Sequence, residues 1–162
     1  MTQYYEDFPV GTTIDLGDYT INEQEILDFA RKYDPIWFHT DPERAKDSIY
    51  GGLIAAGWHT GALMVQRVSS YFENNGSHNL GSPGMDELRW PNPVRPGDTL
   101  HFELSILAAR PSASKPDRGI IELGYLVTRQ TGEPVLTARV VVLFKRRSGR
   151  DIGISAIPPS GA

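Results

Sequence analysis

Gly51-Gly52-Leu53-Ile54-Ala55-Ala56-Gly57-Trp58-His59-Thr60-Gly61-Ala62-Leu63-Met64-Val65-Gln66 makes up most of the longest uncharged run in the chain, and its reading decides the fold. It falls short of the roughly 20 apolar residues needed to span a bilayer, and it carries histidine, threonine and glycines. It therefore reads as a buried core helix, running from about residue 54 to about residue 72 and closed by Asn74-Asn75-Gly76. Apolar side chains occur nearly all round its first half, so something must wrap it.

The wrapping layer lies downstream. Leu100, Phe102, Leu104, Ile106 and Ala108 alternate with His101, Glu103, Ser105 and Leu107. Ile121, Leu123, Tyr125 and Val127 form a second run, and Leu136, Ala138, Val140, Val142 and Phe144 a third. Gln130-Thr131-Gly132-Glu133 is a turn signal between the last two. Shorter strands are expected at Met85–Trp90 and near Thr12–Thr20. Residues 110–118 read as a basic loop rich in proline and serine. Helices followed by antiparallel strands make an α+β pattern, a curved sheet wrapped around one long central helix.

Upstream, Asn22 can cap a helix and Glu25 can close its capping box, with Ile21 stapling to Ile26. Ile26, Phe29, Ala30 and Tyr33 give that helix an apolar face. Pro35 should end it at Asp34. The next stretch, Asp34-Pro35-Ile36-Trp37-Phe38-His39, is too proline-marked to read as regular helix. A second helix is expected from Pro42 to about Tyr50.

The 162 residues fit a single domain over 1–147, with 148–162 expected as a flexible tail rich in Gly, Ser, Ile and Pro. Such a chain can bury a core without metals or disulfides. With no cysteine, disulfide scaffolds, thiol nucleophiles and thiolate metal sites are excluded, and a cytoplasmic setting is expected. The polar, acidic start reads as no secretory signal. A net charge of −4 argues against nucleic acid as a partner, and no membrane association is expected.

Asp34 and His39 supply a carboxylate and an imidazole five residues apart, and the helix start near Gly57 supplies free backbone donors. That is the material for proton transfer on a carbonyl compound. On residue chemistry alone, Asp34 also reads as a turn residue ahead of proline, and His39 as a polar loop residue or cap. Gly57 also reads as a close-packing position. His59 reads as a packed histidine, and His78 and His101 as surface residues. The four histidines show no zinc-protease spacing, so no metal is expected.

These residues resemble the MaoC-like dehydratases, which include the (R)-specific enoyl-CoA hydratases of the hotdog fold. Glu6-Asp7-Phe8-Pro9-Val10-Gly11 is similar to the family's usual start, Asp34 and His39 match its dyad spacing, and Pro93-Val94-Arg95-Pro96-Gly97-Asp98 matches its strand-entry turn. The likeness runs from Tyr4 to about Arg147. It implies a hotdog fold and addition of water to a trans-2-enoyl-CoA, giving an (R)-3-hydroxyacyl-CoA. Asp34 and His39 would activate the water, and Gly57 N–H would hold the thioester oxygen. Coenzyme A would enter as part of the substrate, with no separate cofactor, its phosphates met by some of Arg89, Arg95, Lys115, Arg118, Lys145, Arg146 and Arg147. The resemblance also implies at least a homodimer.

Three positions depart from the hydratase pattern. Ile36-Trp37 stands where Asn-Pro is usual, Ala56 where a histidine precedes the glycine, and Val65 where some hydratases carry serine. Trp37, Ala56, Trp58 and Val65 are therefore the candidate acyl contacts, and both tryptophans also read as core aromatics. Two rival readings use the same fold: an acyl-CoA thioesterase, and a non-catalytic acyl-CoA-binding protein.

Overall fold

A computed structural model describes residues 2–147 of the chain; the expected tail lies outside the described residues. Five strands form one antiparallel sheet in the order β1-β3-β4-β5-β2. They are β1 (Thr13–Thr20), β2 (Gly84–Arg89), β3 (Thr99–Pro111), β4 (Arg118–Arg129) and β5 (Pro134–Lys145). Three helices precede most of the sheet: α1 (Glu23–Tyr33), α2 (Trp37–Thr40) and α3 (Gly57–Asn74). This is the expected α+β hotdog arrangement.

The period-2 pattern determines which face of the sheet is buried. Leu100, Phe102, Leu104 and Ile106 on β3 point inward, as do Ile121, Leu123, Tyr125 and Val127 on β4, and Leu136, Ala138, Val140, Val142 and Phe144 on β5. Ala108 does not join them. A register shift between Ile106 and Ala108 breaks the alternation, and Ala108 is exposed. Long, nearly continuous pairing of β3 with β4 carries both strands further than expected. The basic loop shrinks to residues 112–117.

Only one face of α3 is buried, through His59, Thr60, Met64, Val68 and Phe72. Phe72 meets Phe8 and Phe144 edge-on, and those two rings meet each other tilted, closing the far end of the core. Fully burying an aromatic or branched aliphatic side chain contributes about 1.5–3 kcal/mol, so this layer anchors the helix firmly. The opposite face is open: Trp58 is 62% exposed and Val65 49%. The all-round wrapping read from the sequence is therefore half supplied by this chain.

Two helix boundaries move. α3 begins at Gly57 rather than near Ile54, because the preceding residues run extended: Ala55 N–H donates to Val94 O at 2.8 Å and Ile54 N–H to Phe38 O at 3.4 Å. The helix expected from Pro42 is only a 3-10 turn at Arg44–Asp47. Asp41 Oδ1 accepts from the Glu43 and Arg44 amides and starts the turn. Ser48 then ends it by donating its hydroxyl to Ala45 O. No helix among the described residues is long and apolar enough to cross a membrane.

Candidate active site

Asp34 is positioned by α1. Asn22 Oδ1 accepts from Glu25 N–H at 2.9 Å while Glu25 Oε2 accepts from Asn22 N–H at 3.0 Å, the expected capping box. After the eleven residues of α1, Asp34 N–H donates to Ala30 O as the C-cap, its backbone outside the helical region (φ −151°, ψ 69°). Pro35 cannot continue the helix, and Ile36 N–H turns back to Asp34 O at 2.7 Å.

The next residues coil once more. Trp37–Thr40 form the single-turn helix α2, where the sequence suggested no regular helix. Ile36 is extended (φ −77°, ψ 140°), which suits an N-cap, and the residues after it turn. α2 carries His39 inward, 6% exposed.

His39 Nδ1 lies 2.8 Å from Ile54 O. A carbonyl oxygen can only accept, so Nδ1 carries the hydrogen. Nε2 is then the ring nitrogen left without a protein hydrogen bond, and it faces Asp34 Oδ2 at 3.8 Å. That distance is too long for a hydrogen bond between the two groups, but it lets both face one small molecule between them.

The same extended segment presents the start of α3. The N-cap of α3 is Ala56, which has no side-chain oxygen to cap with. His59 and Thr60 amides reach Ala56 O, whereas the amides of Gly57 and Trp58 meet no acceptor among the described residues. These are free donors at the positive end of a helix dipole.

Dyad and donors line one cavity of about 440 Å³, together with Tyr50, Thr60, Trp90 and Asn92. Of the candidate acyl contacts, Trp58 lines this cavity. Trp37 does not; it stacks edge-on with Phe38 and under Arg44. Ala56 is fully buried just behind the cavity wall. Val65 lines a different cavity of about 320 Å³, between α3 and β5, with Val68, Phe72, Met85 and Val140.

Sequence reading missed the Ile54 carbonyl as the orienting partner of His39, because a backbone acceptor has no signature in side-chain type. It also missed Thr60 and the pair Trp90 and Asn92, which lie thirty residues apart in the chain and meet only in the folded cavity.

The other histidines sit elsewhere. His59 is buried and stacks on Phe29 at 4.5 Å with rings nearly parallel, and burial pushes its pKa down against the opposing pull of Glu25. His101 lies on the sheet surface, 2.7 Å from Asp18, and His78 stacks on Tyr4. Several of the basic candidates are paired: Arg118 with Asp117, Arg146 with Glu6 and Arg147 with Asp7. Arg95 donates to Tyr50 O beside the cavity. Among the described residues no cluster of three or more His, Asp or Glu is arranged to hold a metal.

The MaoC-like domain model matches residues 7–121, and the chain belongs to that family. The MaoC-like dehydratase from Rhodospirillum rubrum is a similar solved structure, with 38% identity, a TM-score of 0.81, and coverage of 90% of this chain and 98% of that one. The unliganded R-hydratase PhaJ1 from Pseudomonas aeruginosa is also similar, at 25% identity and a TM-score of 0.70 over 89% of this chain and 86% of that one. The 3-hydroxyacyl-thioester dehydratase Z of Mycobacterium tuberculosis is 32% identical over 89 residues, which is 54% of this chain and 59% of that protein.

Proposed function

We propose that the chain is a hydratase, or dehydratase in reverse, acting on a 2-enoyl-CoA thioester to give an (R)-3-hydroxyacyl-CoA. The observation that carries this reading is the facing pair, His39 Nε2 and Asp34 Oδ2 at 3.8 Å, in a cavity whose wall includes the free Gly57 amide. The relatives named above, an R-hydratase and a 3-hydroxyacyl-thioester dehydratase, support the reaction class.

In this reading one water sits against both dyad groups. Its oxygen bonds to C3 of the enoyl group as the C2–C3 π electrons move toward the thioester carbonyl. Charge develops on the carbonyl oxygen, where Gly57 N–H meets it. The dyad takes one proton from the water, and a proton returns to C2 to complete the addition. His39 Nδ1–H, fixed to Ile54 O, keeps Nε2 aimed at the water throughout. Coenzyme A is part of the substrate, and no further cofactor is needed.

The proposal extends to the acyl group and the assembly. The aromatic walls, from Phe38, Tyr50, Trp58 and Trp90, favour a short or branched acyl group. β2 ends the sheet with an open edge, and Trp58, Val65 and Met85 are exposed nearby. A homodimer formed across that edge would cover them. A cytoplasmic setting fits a cysteine-free chain. The test is hydration of crotonyl-CoA, followed by loss of the conjugated thioester's ultraviolet band; release of free CoA thiol instead would make the chain a thioesterase.

A further inference from the structure

Gly57 has no backbone reason to be glycine: it is absent from the positions with positive φ, unlike Gly11, Gly51 or Gly97. The reason is Trp90. A Cβ on residue 57 would lie 2.6 and 2.7 Å from two carbons of the Trp90 indole and 3.0 Å from its Nε1. The pyrrole side of the ring, including its N–H, thus occupies the space a side chain at residue 57 would take, within a few ångströms of the free Gly57 amide. Indole Nε1 is a donor only, and among the described residues it meets no acceptor.

The segment that follows Trp90 is tied to the fold. Trp90 precedes Pro91-Asn92-Pro93, which restricts the backbone on one side. Asn92 Nδ2 donates to Pro134 O at 2.8 Å, and Val94 O accepts from Ala55 N–H at 2.8 Å, tying this segment to the approach of α3. Trp58 meets the ring edge-on at 5.4 Å and 74°. Two indoles therefore form a corner over the first turn of α3, and both line the dyad cavity.

We propose that Trp90 is a further catalytic residue of this site, its indole N–H serving with Gly57 N–H as the second donor to the thioester carbonyl oxygen. The inference rests on the acyl-thioester reading of the cavity. It also explains why residue 57 must be glycine: the second donor can approach only where no side chain intervenes.

The test separates donor from ring. Trp90→Phe keeps an aromatic wall and removes the N–H; Trp90→Ala removes both. With crotonyl-CoA, Trp90→Phe should lower kcat on the order of 10²-fold, the loss typical of one such donor, while KM moves much less. A second readout does not need turnover. Crotonyl-CoA labelled with ¹³C at the carbonyl is bound to Asp34→Asn protein, and its carbonyl stretch is read by isotope-edited infrared. The stretch should fall to lower frequency on binding, and the fall should shrink when Trp90→Phe is added. Circular dichroism melts confirm that each variant is folded. If Trp90→Phe turns over and shifts the carbonyl like its parent, the proposal is overturned, whatever Trp90→Ala does. If the wild type hydrates no enoyl-CoA but the carbonyl shift depends on Trp90, the donor role stands and the hydratase reading falls. If the thioester does not bind, both fall.

Discussion

At the scale of single residues, the dyad is the sharpest point. In the proposed mechanism Asp34 and His39 share one water, so losing either would leave that water misplaced or without a proton acceptor. Asp34→Asn and His39→Ala should each cost about 10²–10⁴-fold in kcat/KM, with fold intact. The double variant should be little worse than either single one, because groups acting as a unit are not additive. Steady-state kinetics on the three purified variants checks this. Two other histidines should pull stability in opposite directions with pH. His59 is held below the ordinary histidine range by burial, so the unfolded chain binds its proton more readily. Its contribution is full above about pH 6.5 and is lost as pH falls toward its folded value. His101 is held above that range, first by its hydrogen bond to Asp18 and then by Asp15 and Glu103. Its contribution is full below about pH 6.5 and is lost as pH rises through its folded value. The His101 effect should be small, under about 1 kcal/mol, because the cluster is solvent-exposed. Thermal melts from pH 5 to 8 should therefore show a flatter acid side in His59→Phe and a slightly flatter alkaline side in His101→Gln. The residue types and spacing of the dyad were legible in the sequence. The tautomer of His39 was not, because it depends on a carbonyl brought in from fifteen residues away.

At the scale of elements, the helices show what local chemistry can and cannot specify. α1 was readable from both ends, since its capping box and the proline after it are local signals. Asn22→Ala should destabilise the fold by about 1 kcal/mol, measurable as a lower urea midpoint, while leaving kcat of the folded enzyme unchanged. α2 was not readable: one helical turn has too few residues for periodicity, and it forms because tertiary contacts hold its ends. The start of α3 was placed three residues early for a related reason. Ile54 and Ala55 have ordinary helix-compatible side chains, but their amides bond to Phe38 and Val94 across the fold. Those tertiary bonds are what set the helix start, with its free amides, at Gly57 rather than at Ile54. The strand cores were read correctly because alternation survives any length of partner. Ala108 was misplaced because a bulge leaves no mark in side-chain polarity.

At the scale of the whole molecule, one half of a sheet-and-helix layer is left uncovered. The open β2 edge and the exposed stripe through Trp58 and Val65 should be buried by a second copy, so sedimentation at micromolar concentration should give twice the chain's 18.0 kDa mass. A stable, active monomer would remove the dimer from the account. The cavity of about 440 Å³ with its indole walls should also limit the acyl group. Hydration rates across straight-chain enoyl-CoAs should peak at short chains; rates that climb steadily into long chains would show the pocket reading wrong. Hydrophobic patterning made the overall architecture legible, whereas the cavity was not, because its walls come from four separate stretches of the chain. The most direct test of the central claim is a single assay run on wild type and Asp34→Asn side by side. Crotonyl-CoA is supplied, and the conjugated thioester band, free thiol and the configuration of any 3-hydroxybutyryl-CoA are all measured. The account predicts loss of the band, no free CoA, an (R) product from the wild type and near-complete loss of the reaction in the variant. Free CoA from the wild type, or equal rates from both proteins, would contradict it.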